Sequence, residues 1–310
     1  MKIFLVAPKS ISSHRIPGQS FRYDYAFWNF YFPLLSLGHD VTFFDTSQFG
    51  DEELNQLIEL KKPELLFCIT TGDSRYCPKE PWQTIIDETK KGRLKTFNWF
   101  CDDTWRFDSF SREVCGNFHI CSTPEKKFIE QYKAIGYDNI LYATWHANAD
   151  FYSNLNVKKE NLLSFVGAIR GDRKTFIEAI EELMSVHHPK NASFEDLVHT
   201  YANSYIGINF SKNSNNNKTQ MKARMFEIPA SGTLLFTEYH DNIEECFDIN
   251  KEIVTFQTVE EMTDKLIFLW GHPSGTNFIE KIALAGHNRF MKEHNSKIRL
   301  GKLLQQIGDL

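Results

Sequence analysis

The sequence predicts an α/β protein built from two doubly wound domains, and three observations carry that expectation. Short apolar runs alternate with segments of helical period along most of the chain, the pattern that gives a mostly parallel sheet with helices on both faces. A polar stretch from Ala147 to Glu160 interrupts the alternation and places a boundary near residue 150. The 310 residues are 42% hydrophobic and 24% charged, enough to bury one large core or two ordinary ones.

Lys2 to Ala7 reads as the first strand. A polar loop with Pro17 and Gly18 follows, then a helix, then a second strand from Val41 to Asp45. The helix carries two aromatic stripes, Phe21, Tyr25, Trp28, Phe32 and Leu35, and Tyr23, Phe27, Phe30 and Leu34, so it needs burial on two faces. The second stripe packs in the core, or lines a cleft or a subunit contact. Helices are expected at Glu52 to Lys61 and Pro81 to Lys91. Buried strands are expected at Glu64 to Thr70 and Lys95 to Phe100. Strands at Phe118 to Cys121 and Asn139 to Tyr142 flank a helix from Glu125 to Ile135 that ends at Gly136. These make up the expected domain 1–150.

The domain 151–310 opens with the strand Leu162 to Val166. Helices follow at Asp172 to Met184, Phe194 to Asn203 and Gln220 to Ala230, with strands at Tyr205 to Phe210 and Thr233 to Thr237. Glu260 to Trp270, Asn277 to Glu293 and Ile298 to Ile307 read as helices that complete this second domain. The segment His187 to Ser193 is too short and polar for a further full strand.

No apolar run approaches the roughly 20 residues of a membrane span, and Met1 to Val6 does not lead into a signal-peptide cleavage region, so a cytoplasmic protein is expected. The six cysteines form no Cys-x-x-Cys pair, which argues against a zinc site and a disulfide framework. A net charge of −5 without a dense Lys/Arg tract gives no footprint of a general nucleic-acid binder.

Ligands of open α/β sheets bind beyond the carboxyl ends of strands, here Pro8 to Gly18, Cys101 to Trp105, Gly167 to Lys174 and Phe210 to Glu227. Gly167 to Lys174 joins a strand to a helix and carries two glycines and three cations. It reads as a diphosphate cradle or as a turn with solvated charges. It matches neither Gly-x-Gly-x-x-Gly nor a Walker A loop. Lys218, Lys222 and Arg224 precede Glu227, a carboxylate in an apolar stretch that needs a partner. That partner is a hydroxylated ligand such as ribose, or a helix cap or salt bridge. Asp102 and Asp103 follow a strand and serve as a catalytic base pair for an acceptor hydroxyl, or as a turn and N-cap. His14, in the first polar loop, is a further catalytic candidate, and His146 is a weaker ligand candidate.

The run Lys222 to Glu238, followed by Lys251-Glu252-Ile253 and Ala285-Gly286-His287, resembles the CgeB-like, spore-maturation type of group 1 glycosyltransferases. Ser164 to Gly167 with Asp172-Arg173, and Gly136 to Asn139 before Asn148 to Asp150, fit the same pattern in order. The resemblance implies a GT-B fold, with two Rossmann-like domains facing a central cleft, the first binding the acceptor and the second a nucleotide sugar. By motif position it assigns Glu227 to the donor ribose, Gly167 and Arg170 to the phosphate-side loop, and Lys222 and Arg224 to the diphosphate or sugar. It implies transfer from a UDP-sugar to a hydroxyl of a glycan, protein, metabolite or hydroxylated nucleobase, without a metal or other cofactor. The alternative is a catalytically silent nucleotide-sugar-binding or assembly protein. Many group 1 enzymes carry a second glutamate eight residues before the ribose glutamate. Thr219 stands there in this chain, so the pattern does not assign the stereochemical outcome.

Overall fold

A computed structural model describes the chain except residues 12–21, 24, 74–76, 153–156, 191 and 214–217; for residues 10, 11, 22 and 23 it describes the backbone alone. The chain divides into two compact units, Met1–Thr144 with Ser296–Leu310, and Trp145–Asn295.

The first unit is built on six parallel strands, β1 (Lys2–Ala7), β2 (Asp40–Asp45), β3 (Leu65–Cys68), β4 (Lys95–Trp99), β5 (Ile120–Thr123) and β6 (Ile140–Tyr142). They lie in the order β2-β1-β3-β4-β5-β6. All four residues of β3 are buried, as expected of a parallel strand covered on both faces. Helix α1 (Asp51–Lys61) follows β2, and Glu53 accepts from the Gly50 amide at 2.9 Å ahead of its first turn. Helix α2 (Trp82–Lys91) stops at Gly92, whose φ of 64° lies in the left-handed region that glycine adopts without strain.

The expected helix over residues 21–35 is shorter than its aromatic stripes suggest. Arg22–Tyr23 pairs antiparallel with Ser10–Ile11, and a wide turn over Phe27–Tyr31 precedes the helix Phe32–Ser36. Of the second stripe, Phe30 and Leu34 are fully buried, Phe30 making edge contacts with Phe67 and Trp99. Those two positions are core, whereas Phe27 is half-buried, with Lys9 Nζ over its ring.

The second unit carries five parallel strands, β7 (Asn161–Ser164), β8 (Val186–His187), β9 (Ser204–Asn209), β10 (Leu234–Glu238) and β11 (Val254–Phe256), in the order β8-β7-β9-β10-β11. Two of these were absent from the sequence expectation. β8 is an edge strand of two residues, in register with Leu163 and Ser164, and β11 has three. β8 is too short to leave a periodic signature, and β11 directly follows the segment Lys251-Glu252-Ile253. The helices are α3 (Arg173–Glu181), α4 (Phe194–Ala202), α5 (Arg224–Ala230), α6 (Val259–Gly271) and α7 (Thr276–Arg289). Ser193 and Asp196 cap α4 reciprocally, at 3.0 and 2.8 Å.

The final helix, α8 (Ser296–Asp309), corrects the expected boundaries. It belongs to the first unit, where Lys95 Nζ donates to the Ile307 carbonyl at 2.9 Å. Its buried residues Leu300, Leu303, Leu304 and Ile307 form one stripe that must be covered, but nothing in that period says which unit supplies the cover. The division in the middle of the chain falls at Thr144/Trp145. All six cysteines are free thiols, and five are buried. Among the described residues no helix is long and apolar enough to cross a membrane.

Candidate functional site

In the second sheet the chain winds from β7 out to β8 and then back across to β9, so the loops after β7 and β9 leave the sheet side by side. Brought to the carboxyl ends of adjacent strands at such a reversal, loops form the usual ligand crevice of an open α/β sheet.

After β7 the backbone stays buried through Phe165 and Val166 and surfaces at Gly167. The Phe165 ring stacks on His188 with centroids 5.5 Å apart, and His188 Nε2 lies 2.7 Å from the Gly167 carbonyl. A carbonyl only accepts, so that nitrogen carries the proton. A Cβ on Gly167 would come within 2.9 Å of the Phe165 ring, which explains the glycine by close approach. Arg170 is exposed. Arg173 donates to the Ala168 carbonyl at 3.0 Å and the Lys212 carbonyl at 3.2 Å, tying the two loops together. Burial lowers the Arg173 pKa; Glu238 opposes that effect and Arg170 adds to it.

The loop after β9 is organised by two charges. Lys222 Nζ donates to the carbonyls of Phe210 at 2.6 Å and Lys212 at 2.8 Å. Glu238, the buried last residue of β10, accepts from the Lys212 amide at 2.8 Å and faces its Nζ at 3.3 Å. Thr219, at the position where a second glutamate would stand, forms an antiparallel bridge with Lys212.

Helix α5 then brings in Arg224 and Glu227. Arg224 Nε donates to the Val166 carbonyl at 3.2 Å, and its Nη1 is ion-paired with Glu227 Oε2. Tyr152 donates its hydroxyl hydrogen to Glu227 Oε1 at 2.9 Å. Glu227 is only 2% exposed. Burial disfavours the Arg224 charge, yet Glu227, Tyr201 and Tyr152 outweigh it and hold the guanidinium above its ordinary pKa. Burial likewise pushes the neighbouring Tyr201 phenol up to about 12. The helix sits close to the sheet because Gly207 of β9 has no side chain. A Cβ there would lie 2.8 Å from Ile228 and 3.1 Å from Tyr201.

The structure therefore gathers Gly167, Arg170, Lys222, Arg224 and Glu227 at one edge of the second sheet, and adds Arg173, Lys212 and Glu238. Cations outnumber carboxylates there, an arrangement suited to a di-anion with several oxygen acceptors. Of the three partners open for Glu227 in the sequence, the salt bridge is present. Each carboxylate oxygen accepts one of these bonds, and a carboxylate oxygen has capacity for a second.

The residues expected to act on the acceptor are arranged differently. Asp103 is not on an open edge. It is 1% exposed and accepts from Tyr132 at 3.0 Å inside the first unit. Burial pushes its pKa up to about 6, against the pull of its hydrogen bonding. Asp103 thus lies buried in the first unit, where the sequence had placed it on an open strand end. A carboxylate at a turn gives no sequence sign of whether it points in or out. Asp102 is half-buried, and its side chain does not cap the helix Asp103–Arg106 that follows. His14 lies outside the described residues. His146 is buried at the start of the second unit. Among the described residues no group of three or more His, Cys, Asp or Glu is placed to hold a metal ion.

Tyr152 and Glu238 were missed in the sequence. Glu238 could have been found as a charge closing an apolar strand. Tyr152 lies 75 residues from its partner and carried no such sign.

With this geometry in view, residues 157–305 match the family described as glycosyl transferase-like. No curated protein matches the chain. Solved structures match it over nearly its whole length at low identity. A glycosyltransferase from Rickettsia africae ESF-5 is 12% identical, with 99% of this chain and 98% of that one covered and a TM-score of 0.62. AviGT4, a glycosyltransferase involved in avilamycin A biosynthesis, is 13% identical, with 100% and 97% covered and a TM-score of 0.63. Anabaena HepE in complex with UDP and glucose is 10% identical, with 100% of both chains covered and a TM-score of 0.62. At such identities the likeness establishes the fold, which is that of GT-B glycosyltransferases. The family match lies almost wholly within the second unit, which holds the cation-lined edge.

Proposed function

We propose that this protein is a glycosyltransferase that takes its sugar from a nucleoside-diphosphate donor held by the second unit. The observation that carries the reading is the convergence of Arg170, Arg173, Lys222 and Arg224 beside the buried Glu227, at the strand reversal of the segment that matches the glycosyl transferase-like family. Glu227 receives the ribose hydroxyls, and the loop at Gly167 with the four cations receives the diphosphate. As the bond to the anomeric carbon breaks, charge develops on the departing diphosphate, and these side chains offset it without needing a metal. UDP is the favoured carrier, supported by the HepE complexes with UDP. The first unit selects the acceptor, with Asp102 as the base for its hydroxyl now that Asp103 lies in the core. The acceptor class stays as broad as the sequence left it, and the CgeB-like subtype and a cytoplasmic site of action belong to the same proposal.

Thr219 favours a second reading, in which the donor is bound and not transferred, because the paired glutamate of many group 1 enzymes is replaced there. Calorimetric titration of UDP, GDP and ADP, followed by assay of sugar release from their conjugates, separates the two. Binding of at least one nucleoside diphosphate, weakened roughly tenfold or more in Glu227→Ala, supports the donor site. Binding without release under any condition supports the silent reading. If no nucleotide binds, or Glu227→Ala binds as the wild type does, the donor site is wrong.

A further inference from the structure

We propose that Tyr152 is a positioning residue that sets the donor's preference for ribose over 2′-deoxyribose by holding the Glu227 carboxylate in one orientation. This deepens the reading above and rests on Glu227 facing the nucleoside sugar.

Tyr152 closes the short helix Ala149–Tyr152, and its ring is 1% exposed, packed edge-on against Phe194 of α4 with centroids 5.7 Å apart. It shares one core cluster with Val166, Tyr201, Met225 and Phe226, so the phenol is fixed before any ligand arrives. Its hydroxyl meets Oε1 of Glu227 while Arg224 meets Oε2. Held at both oxygens, the carboxylate cannot turn about its last torsion, which is otherwise broad.

Tyr152 and Arg224 both donate, so the carboxylate they hold is a pure acceptor with one position left on each oxygen. Such a group rewards a ligand that brings two hydroxyl donors at fixed spacing, as a ribose diol does. It gives less to a sugar lacking one of them, because a site built to meet a hydroxyl discriminates strongly against its absence. Without the phenol, Oε1 loses its anchor and only the ion pair with Arg224 remains. The carboxylate then stays near the site, held by Arg224 alone, but no longer presents two fixed acceptors. The loss falls on discrimination between sugars rather than on phosphate binding, which the Gly167 loop and the cations supply.

The test is a titration of wild type, Tyr152→Phe and Glu227→Ala with whichever of UDP, GDP and ADP binds best, and with its 2′-deoxy counterpart. Tyr152→Phe keeps the buried ring. Its affinity for the ribonucleotide is expected to fall roughly five- to tenfold while that for the deoxynucleotide barely changes, so the ratio of the two moves toward that of Glu227→Ala. If Tyr152→Phe does not fold, Tyr152→Met removes the same hydroxyl and the same ratio is read. An unchanged ratio, or equal weakening of both nucleotides, overturns the positioning role while leaving Glu227 as the ribose contact. A wild type that does not distinguish the two sugars, together with an unaltered Glu227→Ala, removes the underlying donor reading and this proposal with it.

Discussion

His287 Nδ1 lies 2.9 Å from the carbonyl oxygen of Pro229, so the imidazole donates to the end of the helix that carries Arg224 and Glu227. That helix has only seven residues and a proline inside it, and Gly232 closes it with a φ of 65°. Its position thus depends on contacts from outside. One residue before His287, Gly286 lets α7 approach the backbone of Glu252. Of two residues that looked like family markers in the sequence, His287 thus braces the site-bearing helix and Gly286 lets α7 pack on Glu252.

An opposite-sign result follows at Gly286. Glycine inside a helix ordinarily costs about 1 kcal/mol relative to alanine, so Gly286→Ala would stabilise an isolated α7. Here the added Cβ lands on the Glu252 carbonyl, too close for any real contact, and the obstacle is backbone. Gly286→Ala is expected to destabilise by about 1–3 kcal/mol, and His287→Ala by about 1 kcal/mol. Urea denaturation measures both, and a Gly286→Ala variant at least as stable as wild type would show that α7 does not pack against Glu252.

The Arg224–Glu227 pair should show strong coupling in a double-mutant cycle. Arg224→Met leaves a buried carboxylate supported by Tyr152. Uncompensated buried charges cost several kcal/mol, but the Arg224 side chain is 30% exposed and water reaches the pair, so a discounted loss of about 1–3 kcal/mol is expected. Removing both charges as Arg224→Met with Glu227→Leu should destabilise less than the sum of the single changes. Strict additivity in chemical denaturation would mean that the ion pair is not formed in solution.

How far the sequence reached can be judged from these elements. The alternation of strands and helices was legible because it is a local period, and α1, α2 and the strands β1 to β4 fall within a residue or two of expectation. The segment around Arg224 to Gly232 was legible because a carboxylate among apolar residues demands an explanation. The attachment of α8 to the first unit was not legible, since its apolar stripe fits any matching surface. β8 was too short to register. Tyr152 was invisible because its partner lies 75 residues away, and the buried Asp103 meets Tyr132, 29 residues along the chain.

Asp103 supplies a pH prediction whose sign follows from burial. Its folded pKa of about 6 lies above the ordinary aspartate range, so the folded state binds the proton more tightly than the unfolded state. Its contribution is therefore fully present at low pH and is lost as pH rises through 6, amounting to about 3 kcal/mol in the limit. Asp103→Asn has no such titration and places an amide where Oδ1 lacks a partner among the described residues. The stability of Asp103→Asn relative to wild type should climb from about pH 4 to about pH 6 and then level off, with sugar transfer or release retained. A flat difference in melting temperature across that range, or loss of activity in Asp103→Asn, would return this carboxylate to the catalytic candidates.

Arg170 and Lys222 separate ligand contact from scaffold. Lys222 spans the loop after β9 through the Phe210 and Lys212 carbonyls, so Lys222→Ala should lower the melting temperature as well as donor affinity. Arg170 is exposed at the cation-lined edge, so its removal should leave the melting temperature within a degree or so, since surface changes away from such contacts are usually small. If the diphosphate lies against the Gly167 loop, Arg170→Ala should weaken a nucleoside diphosphate by roughly three- to tenfold, in a salt-dependent way, and leave the parent nucleoside unaffected. Equal weakening of nucleoside and diphosphate in Arg170→Ala would place the phosphates elsewhere, whereas a selective loss ties the anion to the strand reversal between β7 and β9.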